Sequence, residues 1–227
     1  MKTPRSLASL AFCLAVPLSL NGEPPAGGGE KVTVTEDFEH GADRWSPTAP
    51  AQWKIAEDHG GHVYDLFNKA ATYKTPHRSP FNFALLKDHS FSEIVLTAKV
   101  RTTVKSYGHR DVVVVFGHRD PAHFYYVHFG EKADPHSCQV FIVNAADRTK
   151  ISTKEAKGIP WKDDTWHSLK VVWKASDGSI KVYFDDMENT AMEAKDTTFS
   201  SGAVGIGSFD DTARFDDVRI EGVAAGK

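Results

Sequence analysis

The stretch that decides the fold covers residues 107–144, YGHRDVVVVFGHRDPAHFYYVHFGEKADPHSCQVFIVN. Three apolar runs stand in it, 112–116, 123–129 and 140–143, parted by Gly, Pro, Asp and Lys clusters of the kind that turn a chain. This spacing predicts three consecutive antiparallel strands. In the second run, alternation sends Phe124, Tyr126 and His128 to one face and His123, Tyr125, Val127 and Phe129 to the other, and the second set is expected to face the core. The stretch also carries His109, Arg110, His118, Arg119, His123, Tyr125, Tyr126, His128 and His136, more polar aromatic and basic side chains than a core requires. Their surplus marks a candidate binding surface.

Working outward, residues 31–38 (KVTVTEDF) supply a first strand, and 52–57 and 62–67 pair about the turn DHGG. Residues 69–87 hold Tyr73, Pro76, Pro80, Phe81 and Phe83 without sustained period, a long loop leading to an edge strand. In residues 91–104, Ile94, Leu96, Ala98 and Val100 alternate with Val95, Thr97, Lys99 and Arg101, giving a long strand with one wet face; a slip near Glu93 asks for a bulge. Residues 148–153 make a short strand and GIPWKDDT a loop. His167, Leu169, Val171 and Trp173 share a face, as do Ile180, Val182 and Phe184 across the turn ASDG, which is a hairpin. GAVGIGSF and ARFDDVRIEG close the chain as two more strands. About twelve evenly spaced strands and no long helix after the amino terminus predict an all-β, two-sheet antiparallel β-sandwich.

Length and charge narrow the function. A chain of 227 residues suits one large all-β domain, and a formal charge of -3 removes nucleic acid and anionic membrane surfaces, which want a basic excess, from the partner list. Lys2 and Arg5 precede an apolar run over 7–20 that Asn21, Gly22 and EPPAGGGEK then break. The run is shorter than the ~20 residues of a membrane span and reads as a secretory signal. The expected layout is a signal at 1–22, a Pro/Gly-rich linker at 23–31, the sandwich at 32–223 and a tail at 224–227. The mature chain is expected to be exported, to periplasm or medium, without inserting in a membrane. Lipidation at Cys13 is disfavoured by the large Phe12 before it. Cys138 is then the sole thiol, expected as a small buried hydrophobe, so packing must carry the stability that disulfides often supply outside the cell.

The segments DDTWHSLKVVWKASDGSIKVYFDD and GAVGIGSFDDTARFDDVRIEG resemble the closing half of concanavalin A-like jelly rolls of the laminin G type, through Trp166, His167, Leu169, Asp185, Gly202, Gly205, Ile206, Gly207, Phe215, Asp216 and Val218. The opening FEHGADRW, with Phe38, Glu39, Gly41 and Trp45, is similar to the first strand of sugar-binding sandwich modules. The resemblance implies a jelly roll and, as one use of it, a glycan or polysaccharide partner. Jelly-roll glycosidases of this superfamily place acidic residues along one strand, which supplies the carboxyl pair ~5 Å apart that retaining hydrolysis needs; no such strand occurs here.

The first reading is therefore non-catalytic glycan binding on a sheet face by Arg110, His118, Arg119, His123, Tyr126 and His128: rings stack on sugars, while Arg and His donate to hydroxyls. A second is polysaccharide lyase chemistry, with Tyr126 and His128 moving a proton and Arg119 neutralising a carboxylate, although the lyase strand motifs are absent. A third is a structural or protein-interaction domain of laminin G type. Related modules also suggest a structural Ca²⁺ held by Glu39 and Asp216 or Asp217 if the terminal strands pair.

Overall fold

Where β-branched and aromatic residues alternate with polar ones the chain pleats, and sixteen strands result in the computed structural model, which describes residues 29–70 and 72–225. In chain order they are β1 (Lys31–Glu36), β2 (Trp45–Pro47), β3 (Trp53–Asp58), β4 (Gly61–Leu66), β5 (Asn82–Leu86), β6 (Phe91–Thr102), β7 (Val113–Asp120) and β8 (His123–His128). They continue with β9 (Gln139–Asn144), β10 (Thr149–Lys150), β11 (Ser152–Lys154), β12 (His167–Lys174), β13 (Ser179–Phe184), β14 (Met192–Lys195), β15 (Ala203–Ser208) and β16 (Ala213–Ala224). The expected signal at 1–22 and Cys13 lie outside the described residues.

Two antiparallel sheets form the predicted sandwich. One has nine strands in the order β11-β14-β13-β12-β6-β16-β4-β3, with β1 also paired to β16; the other has seven, β10-β9-β8-β7-β15-β5-β2. Between them lie Ile94, Leu96, Ala98, Val100, Leu169, Val171 and Trp173 from the first and Val114, Phe116, Tyr125, Val127, Phe129 and Val140 from the second, all within one apolar cluster. Of the expected inward set, Tyr125, Val127 and Phe129 are in place, whereas His123 lies at the rim, paired with Asp120. The slip near Glu93 is a register shift between β6 and β16, where Val223 faces Glu93 but Ala224 faces Phe91.

Three details depart from the sequence reading. β5 is an interior strand, between β15 and β2. The run at 148–153 splits at Ile151, with β10 in one sheet and β11 in the other, so that it ties the layers together. β14 was not expected, because its segment MEAK has no β-branched residue; Met192 and Ala194 hold it by burial in the core.

The largest difference concerns the outer face of the seven-stranded sheet, expected to be wet. Phe83, Val113, Val115, Phe124, Tyr126, Phe141 and Val143 form a second apolar cluster there, with Leu85 and Phe209 packed against it. The β4–β5 connection covers this face. Lys69 lends its carbonyl to Asn82 Nδ2 (3.2 Å) at one side; Arg78 reaches the β9–β10 turn, donating its N–H to Asp147 Oδ1 (2.9 Å) and accepting from Arg148 N–H (3.1 Å). The chain returns at Phe81, whose carbonyl accepts from Thr48 Oγ1 (2.6 Å). Tyr126 is consequently 0% exposed, its ring stacked on Phe141 at 5.1 Å, and is no open platform for a sugar.

Arg110 is also misplaced by the sequence reading. It is 1% exposed, with Nε on Glu131 (2.7 Å), Nη1 on Asp163 (2.5 Å) and Nη2 on the Trp161 carbonyl (2.9 Å). The guanidinium fork joins three loops at one end of the sandwich.

Two stability outcomes follow. Tyr126→Ala should lose about 3–5 kcal/mol, as large aromatic truncations in cores do, and lower the melting temperature by roughly 10 °C at this chain length. Arg110→Ala, which strands the Glu131 and Asp163 carboxylates, should lose a comparable 3–5 kcal/mol. Urea unfolding measures both, and a shift under ~1 kcal/mol in either would return that residue to the surface.

Candidate functional site

One opening in the sheet's outer face lies where β8 ends. The β7–β8 register pairs His128 with Val113, so the imidazole emerges just past the covered rings, and the β15–β16 turn lays Phe209 parallel to it (5.8 Å, 9°). A cleft of about 140 Å³ is lined there by Arg78, His109, His128, Asp134, His136, Ser137, Arg148, Phe209 and Asp210. Six separate chain segments supply these side chains, and the tight packing of the strands beneath holds them still.

His128 is 8% exposed and fully engaged. Its Nδ1 faces the His136 carbonyl at 2.8 Å, an acceptor only, so that nitrogen carries a proton; its Nε2 stands 2.8 Å from Asp111 Oδ2, and a second proton lies between them. Asp111 is buried and also accepts from Ser208 Oγ and the Phe209 N–H (3.0 Å). The neighbouring Asp211, also buried, takes the Tyr107 hydroxyl (2.7 Å) and the Asp111 N–H (3.2 Å), with Lys69 Nζ 3.8 Å away.

Asp210 differs. It reaches solvent and, among the described residues, makes no hydrogen bond or ion pair. Desolvation first, and then the charge of Asp111, hold its carboxyl above the usual Asp range. Asp211 is raised too, chiefly by burial, against the lowering effect of the Tyr107 hydrogen bond. Tyr107 is 40% exposed, so beside the cleft stands an aromatic ring whose hydroxyl is anchored and whose body is open to solvent.

Of the residues expected to bind, Tyr126 and His128 adjoin the cleft but are buried. His118 lies on the same face, packed against Phe83 (5.9 Å) and Phe124 (5.4 Å), where burial lowers its pKa. Arg119 and His123 belong elsewhere. Arg119 is six residues along β7 from Val113, ~20 Å by strand rise, and donates to the Ser201 carbonyl and Ser200 Oγ beside Phe199. His123 pairs with Asp120 at 2.8 Å in the turn after β7. The lyase trio is therefore not assembled: Arg119 is remote from His128, and the Tyr126 hydroxyl is sealed beneath Arg148, which donates to it at 3.3 Å.

The terminal strands do pair, β1 with β16. Even so, Glu39 gives both carboxylate oxygens to His62, at 2.7 and 2.8 Å, and Asp216 accepts from the Asp217 N–H. Among the described residues, the three carboxylates with oxygens within 4.8 Å of one another are Asp111, Asp210 and Asp211, not Glu39, Asp216 and Asp217. Calcium takes about 6–8 oxygens. Protons already occupy most of the oxygens of Asp111 and Asp211, so this cluster is a hydrogen-bonded network and does not fit a calcium cage.

Sequence reasoning missed Arg78, Tyr107, Arg148, Phe209 and Asp210. All five lie in turns and connections, where no periodicity marks them; the available signal was the pair Asp210-Asp211 straight after the glycine-rich β15.

No family model and no curated protein sequence matches the chain. Solved structures do. The carbohydrate-binding module CBM66 from Bacillus subtilis aligns with a TM-score of 0.55 at 20% identity, over 78% of this chain and 95% of the module. Winged bean acidic lectin, complexed with methyl-α-D-galactose, aligns with a TM-score of 0.56 at 11% identity, over 87% of this chain and 100% of the lectin. A Bacillus subtilis protein of unknown function with a galectin-like fold gives 0.56 at 10% identity, over 88% and 99% of the two chains. The chain has the concanavalin A-like jelly-roll fold.

Proposed function

We propose that this chain binds a poly- or oligosaccharide, without transforming it, in the cleft at the His128 end of the seven-stranded sheet. The observation that carries the reading is the convergence of side chains from six segments with bonding capacity left over: Asp210 to accept from sugar hydroxyls, Arg78 and Arg148 to donate, and the open Tyr107 ring beside them. Sugars need such a mixture, an apolar plane for the ring and fixed polar groups around its rim. The cleft is smaller than the ~300–1,000 Å³ of a typical drug-sized pocket, which suits one sugar unit or a chain end. Likeness in fold to a carbohydrate-binding module and a lectin supports the same reading.

Catalysis has less support. Two of the three clustered carboxylates, Asp111 and Asp211, are 0% exposed and already hydrogen-bonded, so a scissile bond cannot reach the pair that hydrolysis needs. Export, proposed from the apolar amino-terminal run, would place the protein among extracellular glycans.

Asp210→Asn should weaken the best ligand of a glycan array at least tenfold, ~1.4 kcal/mol, in calorimetry. Arg119→Ala and His123→Ala, at the far end of the strands, should change it less than twofold. Equal affinity for Asp210→Asn and wild type, or release of reducing ends by the purified protein, would refute the proposal. The same variant carries a pH signature. A carboxyl raised in the folded state contributes stability below its unfolded value, near 3.9, and loses it as pH climbs through the folded value. Asp210→Asn should therefore melt slightly above wild type at about pH 7, with the advantage vanishing near pH 3. A variant less stable than wild type at neutral pH would show Asp210 to be a structural acceptor instead.

A further inference from the structure

We infer that the ligand of this cleft is an acidic sugar, whose anionic substituent, a carboxylate or sulfate ester, is held by Arg148 and Arg78; this rests on the glycan reading above. The described part of the chain contains eight arginines, at 44, 78, 101, 110, 119, 148, 214 and 219. Arg44, Arg101, Arg110, Arg214 and Arg219 each face a carboxylate within 4.0 Å. Arg119 spends its guanidinium on Ser200 and Ser201. Arg78 and Arg148 have no carboxylate partner among the described residues, and both line the cleft.

Their placement is built by the fold. The two are 70 positions apart in sequence, yet Arg148 N–H donates to the Arg78 carbonyl (3.1 Å) while Arg78 N–H donates to Asp147 (2.9 Å), so two connections are stitched back to back. Arg148 is then pinned flat, its Cζ 4.5 Å from the Phe209 ring centre and 5.4 Å from that of Phe141, with Nη1 on the Tyr126 hydroxyl (3.3 Å). Its Nε is buried and has no hydrogen-bond partner. A guanidinium held over two rings with Nη2 unspent, in a cleft that a second arginine without a carboxylate partner also lines, suits the oxygens of an anion.

Acid lines the same cleft. Asp210, backed by Asp111 and Asp211, would repel an anion and accept from hydroxyls. A ligand that carries both a negative group and hydroxyls satisfies both kinds of lining, whereas a neutral sugar leaves the arginines' charge unmatched and a simple inorganic anion leaves Asp210 unmatched.

The test is an array of uronic-acid and sulfated oligosaccharides, each paired with its carboxyl-reduced or desulfated counterpart, probed with the full chain. Acidic members should bind at least tenfold more tightly than their neutral partners, with affinity falling as salt rises. Arg148→Gln and Arg78→Gln should each erase that preference, bringing acidic and neutral partners to equal affinity; Arg78, being exposed, keeps the test open if Arg148→Gln unfolds. Preference confined to the carboxylate or to the sulfate pairs would identify the substituent. Equal binding of neutral and acidic partners, or a preference that survives both substitutions, would overturn the inference while leaving glycan binding intact. No binding to any member would remove both.

Discussion

Burial of both faces of one sheet is the constraint on which this molecule depends. The seven-stranded layer packs inward against its nine-stranded partner and outward against the β4–β5 connection, so its central strands are apolar on both sides, as VVVF in β7 shows. A strand with two buried faces has no wet face to offer a ligand. Polar side chains gather instead where the cover ends, past the last covered ring, at His128.

The displacement determines the character of the site. Side chains there come from turns stitched by hydrogen bonds, and the polar ones are held by a network in which protons sit between close oxygens and nitrogens: Asp111 with His128 and Ser208, Asp211 with Tyr107. Each of those groups is satisfied, and leaving any of them buried without its partner would be destabilising. The uncommitted groups, Asp210 and the two arginines, line the cleft above this frame. A rigid, satisfied interior presenting a few unsatisfied groups at its mouth is what selective binding of a polar ligand requires.

The repeated GHRD shows how far identical residues part company in three dimensions. In the first copy Arg110 and Asp111 are both buried, one joining loops and the other anchoring His128; in the second, Arg119 and Asp120 lie at the surface, where Asp120 accepts the Ala122 N–H. The first copy precedes β7 and the second is its last four residues, so one tetrapeptide closes against the acidic cluster at one end of the strand while its twin leads into an open turn at the other.

Residue alternation by itself determined most of the strands, the inward Tyr125, Val127 and Phe129, the bulge near Glu93 and the antiparallel sandwich, because period two on a pleated chain is a local property and burial follows it directly. Which outward-facing residues would meet water was decided only by tertiary structure: a connection without periodicity folded over the outer face, buried Tyr126, and brought Arg78 to Arg148 across 70 positions of chain. Polar groups at a cleft are gathered by loop closure and long-range hydrogen bonds, and neither leaves a periodic trace in the sequence.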